Sequence, residues 1–216
     1  DGEVQRSLDR VLVGDGGSAE SAMTCYWTSL RDAGTRAHPP VAMLHLDPAR
    51  PRDAQNHSLE EMEPDIKTVL KSWSSHLQIG PNGPAVLLDL SPRLDAVQRA
   101  MVDGILETTF PGSSWTWEWL SRGGGRVDRL SVWVGSLSSS SSNRCMRVGR
   151  KNIIASIEGD SSGAVESSFN SVMEIPRGAY LTIVDPVLIE SGLQNSWHDM
   201  AVGSGSGSSW VRIEGR

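Results

Sequence analysis

Residues 85–92 read Ala85-Val86-Leu87-Leu88-Asp89-Leu90-Ser91-Pro92, and their pattern decides the expected fold. The run is apolar throughout rather than alternating, as expected for a parallel strand covered on both faces. One charge, Asp89, interrupts it. Ser91-Pro92 predicts the opening of a helix that continues to about residue 108, with Leu94, Val97, Met101 and Ile105 on one face. A strand feeding at once into a helix is the repeating unit of a parallel α/β sheet.

The same unit recurs on both sides. Residues 11–13 (VLV) form a short apolar run into Gly14-Asp15-Gly16-Gly17-Ser18, and residues 19–31 carry a helical spacing. Residues 41–46 read as a buried strand ending at Asp47-Pro48. Residues 58–73 read as a helix with a capping box at Ser58 and Glu61, split or started by Pro64. Trp115, Trp117 and Trp119 alternate as in a strand, with packing in the core as their simplest role. Residues 130–134, 148–157 and 179–184 are further candidate strands. Residues 136–142 are a low-complexity loop, and 187–200 a final helix. The methionines at 23, 43, 62 and 101 read as core.

The expected architecture is therefore α/β: a doubly wound, mostly parallel, Rossmann-like sheet forming a single domain over residues 1–202. Residues 203–209 are only Gly and Ser, and Ile213-Glu214-Gly215-Arg216 is a site cut by a common tag-removing protease. Residues 203–216 are thus expected to be a flexible tail or a processing remnant. The start at Asp1 without Met suggests a domain cut from a larger polypeptide.

Composition excludes several classes. In 216 residues, 38% hydrophobic and 21% charged, wholesale disorder is not expected. Two cysteines, Cys25 and Cys145, make neither a disulfide scaffold nor a zinc ribbon, and no metal site is expected. No apolar run reaches the roughly 18 residues of a membrane span. The expected location is the cytoplasm. There is no G-x-S-x-G elbow and no H-E-x-x-H, so serine hydrolysis and zinc-protease chemistry have no anchor. His45, two residues before Asp47, reads as a core or rim residue.

The net charge of −6 is unevenly spread. Residues 121–151 hold Arg122, Arg126, Arg129, Arg144, Arg147, Arg150 and Lys151 against Asp128, a local charge of +6 that leaves −12 elsewhere. Such a segment is either a polyanion site or a solvated arginine-rich loop. Lysine occurs only at positions 67, 71 and 151.

In doubly wound sheets ligands sit at the carboxyl ends of the strands. That rule points to residues 14–18, Asp47 and Asp89. Small residues in the glycine turn let a ligand lie against backbone at a helix start. An acidic residue inside the turn disfavours a pyrophosphate and suits a sulfonium or hydroxyl ligand. A carboxylate at Asp47 can accept from both hydroxyls of a ribose. Gly14, Asp15, Gly16, Gly17, Ser18 and Asp47 are therefore candidate binders of S-adenosylmethionine; the alternative is a tight structural turn. Asp89 is either a functional carboxylate facing a cleft or a cap for the helix that follows.

The stretch VLVGDGGSAESA (residues 11–22) resembles the first motif of the methyltransferase domain in the large polymerase proteins of non-segmented negative-strand RNA viruses. AVLLDLSP resembles the D-[LIM]-[AS]-P stretch of the RrmJ/FtsJ-like RNA 2′-O-methyltransferases. The resemblance implies a Lys-Asp-Lys-Glu tetrad that methylates a ribose 2′-hydroxyl of capped RNA, in the host cytoplasm or a virion. Asp89 matches its Asp. Where the second Lys is implied, the sequence offers Arg126, Arg129 or Lys151, and the acid falls among Glu158, Glu166 and Glu174; Arg129, Lys151 and Glu166 are the positions carried forward. Only Arg6 and Arg10 stand where the first Lys is implied, and guanidinium is a poor proton acceptor. The resemblance further implies RNA as a partner through residues 121–151, and other domains of one polypeptide. Two readings compete with the enzyme: a catalytically degenerate domain kept as an RNA-binding or scaffold module, and a different doubly wound enzyme of nucleotide sugars or dinucleotides.

Overall fold

The computed structural model describes residues 15–32, 40–49, 58–160, 170–172, 183–202 and 211–213. The expected strand at residues 11–13 lies outside them, as do Gly14, Arg6, Arg10, Glu166 and Glu174. The fold is α/β, and its mixed sheet of six strands includes parallel pairs. The chain divides into two compact units. The first comprises residues 1–89, 93–114 and 134–137; the second comprises 90–92, 115–133 and 138–216.

In the first unit, helix α1 (Ala19–Asp32) follows the glycine turn directly. Ser18 starts it: its carbonyl accepts from Ala22 and its hydroxyl from the Ser21 backbone N–H at 3.3 Å. Ala19 and Met23, four apart, are buried. Strand β1 (Leu44–Leu46) is shorter than the apolar run that predicts it. Pro64 splits the segment 58–73 in two. A 3₁₀ turn at Leu59–Glu61 uses the Ser58/Glu61 capping box, and helix α2 (Ile66–Trp73) starts on Asp65, whose carboxylate accepts from the Thr68 N–H at 2.9 Å. Ile66, Val69, Leu70 and Trp73 form the buried stripe of α2.

A small hairpin of β2 (Ile79–Gly80) and β3 (Gly83–Pro84) leads into β4 (Val86–Leu90). Strand β4 pairs with β1 in parallel, with Leu44 opposite Val86, His45 opposite Leu87 and Leu46 opposite Leu88. Val86, Leu88 and Leu90 are buried as the uninterrupted apolar run requires.

Helix α3 (Ala96–Thr109) corrects the expectation for Ser91-Pro92. The helix starts four residues later, on Asp95. The Asp95 carboxylate accepts from the Gln98 N–H at 2.8 Å while Gln98 accepts from the Asp95 N–H at 3.1 Å. This reciprocal box satisfies two otherwise orphaned donors, which Ser91-Pro92 does not. The helix face is also rotated from the expected one: Val102 and Leu106 are fully buried, while Val97 is 69% and Met101 47% exposed. Met43 is exposed as well, whereas Met23 and Met62 lie in the core as expected.

The second unit holds β5 (Trp115–Ser121), β6 (Arg129–Val134) except its last residue, β7 (Asn143–Val148) and β8 (Ile153–Gly159), ordered β6-β5-β7-β8. Strand β7 runs parallel to β5 and antiparallel to β8. Of the three alternating tryptophans Trp117 and Trp119 are core, whereas Trp115 at the start of the strand is only partly buried. The single strand expected over residues 148–157 is the end of β7 and most of β8, separated by a turn at 149–152 that is closed by Gly149 N–H on the Asn152 carbonyl. Residues 183 and 184 are not in a strand, and the rest of the strand expected there lies outside the described residues. The expected final helix is two, α4 (Pro186–Glu190) and α5 (Gln194–Val202), parted at Gly192, whose φ of +70° suits glycine. Residues 211–213, read from sequence as tail, form β10 (Val211–Ile213), paired in parallel with β9 (Asn170–Val172).

Candidate functional site

The glycine turn is held from outside as well as from within. Asp15 accepts the Gly17 N–H on its own carboxylate at 3.0 Å, so its side chain braces the turn. Two side chains at the end of α2 reach across to it. The Trp73 indole N–H donates to the Gly16 carbonyl at 2.8 Å, and the Ser72 hydroxyl accepts from the Ala19 N–H at 2.9 Å. Each such bond contributes about 1 kcal/mol. A Cβ at Gly16 would meet no described atom within 4 Å, and Gly16 has no positive φ. Neither backbone strain nor packing against the described residues therefore asks for glycine at that position.

The turn lies at the same end of the first unit as the carboxyl end of β1. A Cβ at Gly17 would sit 3.6 Å from the Pro64 side chain. The neighbouring Glu63 exchanges two 2.8 Å backbone hydrogen bonds with Ala49, three residues past the end of β1. Asp47 lies between, exposed, on the residue that follows the strand.

Asp89 sits near the carboxyl end of β4 and is 9% exposed. Its Oδ2 lies 3.0 Å from Nε2 of His45, whose side chain is 50% exposed. The register explains the pairing. His45 stands opposite Leu87, and Asp89 is two residues on, so both project from one face of the parallel pair. Because Asp95 caps α3, the alternative role for Asp89 as a helix cap is removed. His45 is a rim residue, as expected, but its bond to a buried carboxylate was not legible. The signal available was its place two residues before Asp47 on an adjacent strand.

The other proposed site residues lie in the second unit. Arg129 opens β6 and is exposed, and Lys151 is exposed in the turn between β7 and β8. The basic segment does not act as one surface. Arg144 is turned inward: its Nε is 2.6 Å from buried Glu118, its Nη1 3.2 Å from Glu158, and its guanidinium lies 5.4 Å over the Trp133 ring. Arg126 pairs with Asp128 at 3.2 Å, and hydrogen bonds from the Arg122 backbone and then the Arg126 side chain hold the Asp128 carboxyl below the usual carboxylate range. Arg122 and Arg150 remain exposed where parallel β5 and β7 end, lining with Val148 and Gly149 a cleft of about 450 Å³.

Other chemistries find little support. Cys145 is buried in β7, and burial pushes its thiol up to about 11, which leaves negligible thiolate at neutral pH. Among the described residues no group of three His, Cys, Asp or Glu side chains is placed to hold a metal ion. No described helix is long and apolar enough to cross a membrane. Comparison with protein-family models, with curated proteins and with solved structures finds no match for the chain.

Proposed function

We propose that the chain is an S-adenosylmethionine-dependent methyltransferase with a doubly wound, Rossmann-like sheet, acting on a ribose 2′-hydroxyl of capped RNA. The observation that carries this reading is Asp89, a buried carboxylate at the carboxyl end of a parallel strand pair, held to a half-exposed His45 in the unit that also presents the glycine turn. Carboxyl ends are where open α/β sheets bind ligands. Bound there, S-adenosylmethionine would supply a sulfonium methyl group. The residues present fit it: Gly16 keeps backbone open to approach, and Asp47 offers an exposed carboxylate to ribose hydroxyls. Exposed Arg122, Arg150 and Lys151 supply positive charge for RNA phosphates, which makes binding salt-dependent.

Binding of S-adenosylhomocysteine, measured by calorimetry, tests the reading. Gly16→Val should abolish it, since a branched side chain takes the space left beside the backbone, while the fold survives because nothing described lies there. Asp47→Ala should weaken it by about 1.5–3 kcal/mol, the loss typical of hydrogen bonds to a charged group. Wild-type affinity in folded Gly16→Val would remove the cofactor site. A second reading, an RNA-binding module without catalysis, is favoured by arginine at position 129 in place of the implied lysine. Capped-RNA binding without any affinity for S-adenosylhomocysteine would select it.

A further inference from the structure

We infer that His45 is the proton acceptor for the substrate hydroxyl and that Asp89 is the residue that positions it; the inference rests on the methyltransferase reading above. The bond between the two sets the chemistry of the ring. An ionised carboxylate only accepts, so the 3.0 Å contact requires the proton on Nε2 and leaves the lone pair on Nδ1. Among the described residues Nδ1 has no hydrogen-bond partner, and half of the side chain is open to solvent. Burial of Asp89 keeps the carboxylate from turning away to water. The result is a base of fixed tautomer, oriented by a third group, as in other activated hydroxyl systems.

The pair also answers a difficulty in the sequence. The arginines at 126 and 129 cannot serve as bases, because guanidinium stays protonated. A neutral imidazole can. As the substrate oxygen bonds to the methyl carbon, the carbon–sulfur bond breaks with its electron pair staying on sulfur. The hydroxyl proton passes to Nδ1, and the imidazolium so formed is stabilised by the Asp89 carboxylate. Asp89 on β4 faces the ring at 3.0 Å, and Asp47 follows two residues on in the chain, just past the end of β1.

The test uses His45→Gln and Asp89→Asn in the full chain, with S-adenosylmethionine and a short capped RNA. Gln at 45 still offers an N–H to Asp89. Asn at 89 keeps shape but can present its NH₂ to the ring and reverse the tautomer. Each variant should slow single-turnover transfer about 100-fold, the lower range for a positioned acid–base group. The rise of rate with pH should disappear in His45→Gln. Affinity for S-adenosylhomocysteine should be unchanged in both. Independently of activity, the ¹⁵N shifts of the neutral His45 ring should report the proton on Nε2 in the wild type and a mixture in Asp89→Asn. Wild-type transfer and pH profile in His45→Gln would overturn the inference and leave the methyltransferase reading standing. A wild-type protein that neither binds S-adenosylhomocysteine nor transfers methyl would bring down that reading and, with it, the task assigned to His45.

Discussion

Asp89 and Glu118 are two carboxylates in comparable places with opposite consequences. Each is buried in a strand, at 9% and 5% exposure, and each meets a basic side chain from a parallel neighbour. Glu118 stands directly opposite Arg144 in the β5–β7 register. Arg144 is permanently charged, divided between Glu118 and Glu158, and laid over Trp133. Every feature of that arrangement holds the strands together, and nothing in it can give or take a proton. Asp89 meets a histidine instead, diagonally, with half of the side chain in solvent. The difference teaches that a buried charge in an apolar strand is not itself a sign of function. The partner's chemistry and its access to water separate the two cases.

The largest expected effect strikes the structural pair. Arg144→Met keeps volume but leaves Glu118 buried and uncompensated, which should cost about 3–5 kcal/mol in denaturant unfolding. His45→Gln should change stability by less than about 0.5 kcal/mol, since the amide still donates to Asp89. Equal losses in the two variants would erase the distinction.

A smaller effect sharpens the assignment of Asp89. Asp95→Ala removes the cap that α3 uses and should cost about 1 kcal/mol. The ¹⁵N shifts of His45 should be unaltered, because the cap and the pair share no atom. A change in the ring tautomer on Asp95→Ala would show that capping and the His45–Asp89 pair are one system.

The smallest effect comes from a carboxylate with local partners only. The Thr68 side chain first, and its backbone N–H second, hold the Asp65 carboxyl below its usual value of 3.8. A lowered folded-state value means stabilisation that is fully present above 3.8 and is lost as the pH falls below it. The stability difference between the wild type and Asp65→Asn should therefore shrink on acidification from about pH 5 to pH 2. A difference that stays constant over that range would mean that Asp65 caps α2 by shape rather than charge.

Local patterns carried much of the architecture. The apolar run at 85–90 determined a covered parallel strand, because only burial on both faces rewards so many adjacent aliphatic side chains. The Ser58/Glu61 box, the break at Pro64 and the helix after Ser18 were equally legible, since each is closed within a few residues. Strand β7 was not. Its sequence, Asn143-Arg144-Cys145-Met146-Arg147-Val148, reads as polar, and its polar groups are answered far away: Arg144 by Glu118, and the Asn143 amide by the Ser191 carbonyl at 2.7 Å. The start of α3 was misplaced because Ser91-Pro92 has the pattern of an opening, whereas the hydrogen bonds actually formed put the cap on Asp95.

The site divides along the same line. The residue types and their order along the chain determined that Asp47 and Asp89 belong at strand ends and that a helix follows the glycine turn, because such patterns are local. Which of these residues meet was decided by tertiary structure alone. The pairing register of β1 with β4 sets His45 diagonally to Asp89, and a slip of one residue would send the two to opposite faces. The same holds for Trp73 on the Gly16 carbonyl, a bond across 57 residues of chain. A carboxylate's role depends on the partner it meets and the water it keeps, and both are properties of packing between segments that the linear order does not bring together.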